Sequence, residues 1–274
     1  MKKAILFDLD GTLWHTSDVI LPIWNEVLKK HPETQKQITL EEMNSYMGKT
    51  IEQIANIMLP ELSEENGVNI IKECCAVEVP YLEKSGGHLY DNLEDVLSKL
   101  SEKYFLGIIS NCQCGYIESF LKAHKLEKYF SDFEMSGRTQ LTKGENISLV
   151  ISRNNIDCAF YVGDTIGDQT ASKDAKVPFV FAEYGFGNTE NPDYTIHSFS
   201  ELLEISDKVF ADSEKIILII FYRIILCIIF GFVFFDFVIN NCRLVGLTVL
   251  FIMVYIHYYK HYGNKCNYDY SGYN

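Results

Sequence analysis

Apolar positions along this chain follow two textures. Ala4–Phe7 is an unbroken apolar run that stops at Asp8-Leu9-Asp10-Gly11-Thr12, the pattern of a buried strand whose carboxyl end opens into a tight, glycine-assisted loop. From Thr16 to about Glu83 the period changes. Ile20, Ile23, Trp24, Val27 and Leu28, then Ile51, Ile54, Ile57 and Met58, recur at helical spacing, with Pro32 and Pro60 in the polar connectors. Four or so helices and no strand are expected there. After the flexible join Ser85-Gly86-Gly87, strand-sized runs return at Tyr104–Ile109, Ala159–Val162, Val177–Phe181 and Tyr194–Ile196. Helical stretches at Asp91–Lys103, Tyr116–His124 and Gly144–Arg153 separate them, and a closing helix is expected around Glu201–Ile205.

Strands spaced by helices imply an α/β fold, a Rossmann-like parallel sheet with helices on both faces. The helical block between the first two strands is an insertion. The expected division is a core of residues 1–14 and 88–205, an inserted helical domain of 15–87, and a hydrophobic tail of 206–274.

Composition changes this picture at the tail. The chain has 274 residues, 47 % hydrophobic and 22 % charged, which excludes wholesale disorder. Its net charge of −13 argues against a nucleic-acid partner, which needs a basic footprint, but not against a small phosphorylated ligand. Ile216–Phe235 carries one charge, Arg223, and Leu244–Tyr259 carries none. The first run is long enough for a bilayer and the second is short, and Arg223 in mid-span would cost about 2.5–3.5 kcal/mol. A transmembrane hairpin, a non-functional extension and a core-packing segment are the three readings of the tail, with the membrane a partner only under the first. The N-terminal apolar run is cut by Asp8 and is too short for a signal peptide. The eight cysteines form no disulfide framework, and Cys112-Gln-Cys114 lacks the second pair of a zinc site. A cytoplasmic body is expected.

In open parallel sheets the site lies beyond the carboxyl ends of the strands. Asp8 and Asp10, Ser110 and Asn111, and Asp164 and Asp168 occupy those ends, and Lys143 opens a helical stretch. Crowded carboxylates repel and take up protons unless a cation neutralises them. Oxygen ligands of this kind select Mg²⁺, which accepts phosphate oxygens directly. Each residue also has a plainer reading. An Asp at a strand end can be a turn former, Ser110 can be a helix cap, and Arg138 and Lys173 rival Lys143. Gly185-Phe186-Gly187 marks only a turn, and the polar segment around Glu41, Glu42, Tyr46, Lys49 and Thr50 has two readings, a solvated helix end, which is favoured, and a segment that reaches into the site.

Taken together, Asp8-Leu9-Asp10-Gly11-Thr12, Ser110-Asn111, Lys143 and Gly163-Asp164-Thr165-Ile166-Gly167-Asp168 resemble, in order, the four motifs of the haloacid-dehalogenase-like (HAD) hydrolase superfamily. The insertion resembles its C1 helical cap, as in phosphoglycolate-phosphatase-like members, and the resemblance covers about residues 3–205. It implies a Mg²⁺-dependent phosphatase acting on a small phosphorylated metabolite. Asp8 would be the nucleophile forming an aspartyl-phosphate, and Asp10 the general acid and then base. Ser110, Asn111 and Lys143 would bind the phosphoryl group. Asp8, Asp164 and Asp168, with the Asp10 backbone carbonyl, would hold the metal or its waters. A carboxyl at position 10 argues for phosphoryl transfer and against haloacid dehalogenation. His15 stands where the family often has an acidic residue, which bears on leaving-group recognition. The alternatives are a β-phosphoglucomutase-like phosphomutase, a pyrophosphatase or nucleotidase, and a membrane-tethered binding module with a degenerate site.

Overall fold

A computed structural model describes residues 1–215; the tail from residue 216 onward, and with it the transmembrane-hairpin expectation, lies outside the described residues. Among the described residues no helix is long and apolar enough to cross a membrane. The chain forms two units, Met1–Ile205 and one beginning at Ser206, whose described part, 206–215, is helical.

In chain order the first unit begins with strands β1 (Lys3–Phe7) and β2 (Trp14–His15), followed by helices α1 (Ser17–Leu28), α2 (Leu40–Tyr46), α3 (Ile51–Met58) and α4 (Glu64–Ser85). Next come β3 (His88–Leu89), α5 (Leu93–Ser101), β4 (Phe105–Ser110), α6 (Tyr116–His124) and β5 (Asp132–Met135). The remainder is α7 (Ser136–Thr139), α8 (Lys143–Arg153), β6 (Cys158–Gly163), α9 (Ile166–Ala175), β7 (Phe179–Ala182) and β8 (Tyr194–Ile196).

Six strands pair in the order β5-β4-β1-β6-β7-β8, every neighbour parallel. β1 is central because it is apolar on both faces. Ala4 and Leu6 join Ile147, Val150, Tyr161 and Phe179 in one core layer. On the other face Phe7 meets Phe130 and Phe199, with ring centroids 6.2 and 6.0 Å away. Burying a side chain such as Leu6 or Phe7 contributes about 1.5–3 kcal/mol.

The structure corrects the sequence reading at two places. β5 is not among the expected strands; its Asp132 and Glu134 break the apolar run, and both carboxylates are paired with Arg153 on the edge strand of the sheet. β2 and β3 form a two-residue antiparallel ribbon, Trp14↔Leu89 and His15↔His88, where the inserted helices enter and leave. Two-residue strands carry no readable alternation. The four expected helices are present as α1–α4. Their starts are chemically marked, since Thr39 and Thr50 each close a capping box, with Glu42 and Gln53.

Candidate active site

β1 delivers Asp8 to the rim of the sheet, where its amide donates to the Val162 carbonyl at 2.8 Å. The chain then turns tightly, with Leu13 N–H donating to Leu9 at 2.9 Å and Gly11 N–H to Trp14 at 2.9 Å. Gly11 is required here. Its φ is +80°, and a Cβ would stand 2.1 Å from Asp164 Oδ2.

Lys143 is the first residue of α8, fixed there by the Thr142–Glu145 capping box. A buried ammonium at the positive end of a helix is unfavourable on its own. Two carboxylates compensate: Lys143 Nζ lies 2.9 Å from Asp8 Oδ1 and 2.6 Å from Asp168 Oδ1. Burial alone would lower the Lys143 pKa, but the charges of Asp168 and Asp8 outweigh it and hold the ammonium firmly protonated. The rivals are elsewhere: Arg138 pairs with Glu134 and Lys173 is exposed. Asp168 is held from its other oxygen, which accepts from the Thr165 amide at 3.0 Å and the Thr165 hydroxyl at 2.6 Å.

Asp164 is fully buried, and one oxygen accepts from the Phe186 amide at 2.7 Å. A Cβ on Gly185 would lie 2.3 Å from the Asp164 Cβ, so the Gly185-Phe186-Gly187 turn is pressed against this carboxylate. Asp8 Oδ2 and Asp164 Oδ1 are buried with no hydrogen-bond partner among the described residues. With Asp168 these residues offer ligand atoms that all lie within 4.8 Å of one another. Burial, then the Asp168 charge, pushes Asp8 up to about 6, although Lys143 opposes the shift. Burial, Asp168 and Asp8 raise Asp164 well above the usual carboxylate range. Unpartnered oxygens among three carboxylates and one cation fit a hard divalent cation such as Mg²⁺.

The Asp10 carboxylate stands outside this group, so only its backbone carbonyl is left for the metal role expected of it. Its Oδ1 accepts from the Tyr116 hydroxyl at 2.9 Å and the Thr16 hydroxyl at 3.5 Å. Burial, then the Asp8 charge, pushes Asp10 up to about 7, against the Tyr116 hydrogen bond. A carboxyl there can hold or release a proton near neutrality.

Ser110 closes β4, and its hydroxyl accepts from the Cys112 amide at 3.4 Å. The Asn111 side chain is engaged across the molecule: it donates to the Gly48 carbonyl at 2.8 Å and accepts from Ser136 at 3.1 Å. Gly48, Lys49 and Thr50 line a cleft of about 1320 Å³ together with Asn111, Lys143 and Thr165. Of the two readings of this segment, the one that reaches the site fits its Gly48–Thr50 end. Glu42 does behave as a helix-end residue, pairing with Lys36 at 2.7 Å. His15 lies at the ribbon, its ring 4.7 Å from that of His88.

Sequence reasoning missed Tyr116, whose helical spacing reads as ordinary core, and the Phe186 amide, a backbone donor with no side-chain signature. The Gly-Phe-Gly pattern was the one available sign of the latter.

A parallel sheet with acidic strand ends, a buried lysine and helices inserted beyond β1 defines a doubly wound α/β core with an aspartate-rich rim. Residues 5–182 match the haloacid dehalogenase-like hydrolase family, and the chain belongs to it. It is 23 % identical over 222 residues to the phosphoglycolate phosphatase of Vibrio parahaemolyticus, covering 74 % of this chain and 95 % of that one. It is 26 % identical over 221 residues to the pyrophosphatase PpaX of Listeria innocua, with 74 % and 95 % covered. The crystal structure of a predicted phosphatase from Clostridium acetobutylicum shares the fold, with a TM-score of 0.64 at 23 % identity over 76 % of this chain and 99 % of that one.

Proposed function

We propose that this hydrolase is a Mg²⁺-dependent phosphatase that cleaves a small phosphomonoester of the phosphoglycolate type through an aspartyl-phosphate on Asp8. The observation that carries the reading is the rim itself: Lys143 joins Asp8 to Asp168 while Asp8 and Asp164 each keep one buried oxygen unpartnered. Asp8, Asp164 and Asp168 would hold the cation, with the Asp10 backbone carbonyl. Bound there, Mg²⁺ supplies positive charge that offsets the carboxylates and draws electron density from the phosphoryl oxygens.

The protein groups do the rest. Lys143 and the Ser110 hydroxyl, with the backbone N–H groups of the loop at Asn111, receive phosphoryl oxygens and orient phosphorus toward Asp8. An Asp8 oxygen bonds to phosphorus as the bond to the leaving alcohol's oxygen breaks, and Asp10 gives that oxygen its proton. Asp10, now a carboxylate, takes a proton from a water as its oxygen attacks phosphorus, releasing Asp8 and phosphate. Tyr116 orients Asp10 for both transfers.

Residues 1–14 and 88–205 are read as the catalytic core and 15–87 as a cap whose cleft face selects the substrate. Lys49 on that face favours an anionic leaving group. A second reading, pyrophosphatase, is supported by the Listeria innocua relative, which matches over the same share of this chain.

The test is phosphate release by the full-length chain over a panel of small phosphomonoesters and pyrophosphate, with Mg²⁺ and with EDTA. Mg²⁺-dependent release that Asp8→Asn lowers by about four orders of magnitude supports the mechanism. Turnover by Asp8→Asn at wild-type rate would sink it. Isomerised sugar phosphate in place of free phosphate would identify a mutase.

A further inference from the structure

Glu78 takes no part in the chemistry above, yet it is the one acidic or basic residue that is buried among residues 15–87, at 2 % exposure. It lies on α4, and two donors converge on it. Oε2 accepts from the Trp24 indole N–H on α1, and Oε1 accepts from Gln113 Nε2 at 2.5 Å. Gln113 belongs to the loop that begins at Ser110. Two further contacts press that loop to the inserted helices: Asn111 bonds the Gly48 carbonyl, and Gly115 lies so close to Val79 that a Cβ would be 3.0 Å from its methyl.

Two N–H donors aimed at one side chain need two acceptors and no donor. Only a carboxylate meets that requirement, since an amide would turn its own N–H₂ on one of them. Burial pushes Glu78 up to about 7, and its bonds to Trp24 and Gln113 oppose the shift. The ionisable groups that feel its charge are Asp10, Tyr116, Cys74 and Cys75, none of them cationic.

We propose that Glu78 is a positioning residue, its two oxygens tying α1 and the Ser110–Gly115 loop to α4 and so fixing the stretch Asn111–Cys114 that follows Ser110 and lines the cleft. The proposal rests on reading Ser110 as a phosphoryl-binding residue.

The test uses the full-length chain, with p-nitrophenyl phosphate and Mg²⁺ for kinetics and amide hydrogen exchange of residues 110–115 as a readout independent of substrate. Gln113 is only half-buried, so its variants keep the core intact. Gln113→Ala raises KM about tenfold, the worth of one hydrogen bond to a charged group, with kcat within about threefold. Gln113→Glu sets two carboxylates face to face; its KM is near wild type below roughly pH 6, where the pair shares a proton, and rises by pH 8. The exchanged pair Glu78→Gln with Gln113→Glu restores an acceptor for Trp24 and a matched bond across the seam. At pH 8 it recovers KM to within about threefold of wild type and recovers protection of the loop, which neither single change does at that pH. Wild-type KM and protection in Gln113→Ala, or an exchanged pair no better than its worse single change, overturns the proposal. Asp8→Asn reports on the chemistry separately: if it retains turnover while loop protection still follows the pair, the mechanism fails and the tie stands.

Discussion

Two clusters of carboxylates and cations flank this sheet, one on its edge strand β5 and one at the carboxyl rim, and they are built on opposite principles. At β5, Asp132 and Glu134 face Arg138 and Arg153, two against two. Arg153 grips Asp132 with two bonds of 2.7 Å and Glu134 with one of 2.5 Å, and Arg138 holds the other Glu134 oxygen at 2.7 Å. Burial alone would raise these carboxyls, but the guanidinium bonds prevail and hold both below their ordinary range. At the rim, Asp8 and Asp168 share Lys143, and Asp164 beside them has only that lysine's charge to offset its own. There Asp8 and Asp164 are pushed up, and each has one oxygen without a partner among the described residues. A balanced cluster fastens the edge of the sheet. An unbalanced one stores electrostatic stress of the kind that a bound cation would relieve.

The largest expected break in this contrast is at the rim. Lys143→Met removes the one cation facing three carboxylates, and kcat should fall about 10³-fold while the fold persists by circular dichroism. Retention of more than a tenth of wild-type kcat would show that Lys143 is not part of the phosphoryl site. Next in size, Glu134→Gln should destabilise the protein by about 1–3 kcal/mol in urea, because it strips charge from two guanidinium bonds. No loss of stability would mean that the β5 cluster is only surface decoration.

A smaller effect has the opposite sign. Mg²⁺ at ten times its Kd should stabilise the wild-type chain by about 1.4 kcal/mol. Asp164→Asn should melt above wild type in EDTA and lose the Mg²⁺ increment. A higher EDTA melting temperature for wild type than for Asp164→Asn would refute the idea of stress at the rim. Smallest is the acid limb of stability. The depressed carboxyls at Asp132 and Glu134 contribute stability that is present above their unfolded pKa values, about 4. That contribution is lost as pH falls through their lower folded values. Glu134→Gln should flatten this limb in urea melts between roughly pH 4.5 and pH 2.5, and an unchanged slope would assign the acid loss to other groups.

How much of this was legible beforehand follows from where each interaction originates. Asp8, Asp10 and Asp164 could be read because they follow the ends of apolar strands, which share one rim in a parallel sheet; Asp168, read as a strand end too, lies in the first turn of α9 and reaches the rim from there. Lys143 could be read from its place at the start of a helix, although only the structure separates it from Arg138 and Lys173. β5 could not, since its acidic residues make sense only beside Arg153, some 20 positions away. Tyr116 meets Asp10 across 106 positions and Gln113 meets Glu78 across 35, so local periodicity has nothing to say about either. The Phe186 amide is invisible for a different reason, because every residue type but proline carries the same donor.

The ribbon of β2 and β3 has a consequence for how such proteins change. Its two strands pair through only Trp14↔Leu89 and His15↔His88, so the helical insertion leaves the sheet and returns at neighbouring points. To the sheet, everything from Thr16 to Gly87 amounts to the loop of a hairpin. A graft could replace that whole segment with another of different length and shape, provided its ends arrive side by side. Modules attached in this way can be traded while the aspartate rim beneath them stays as it is.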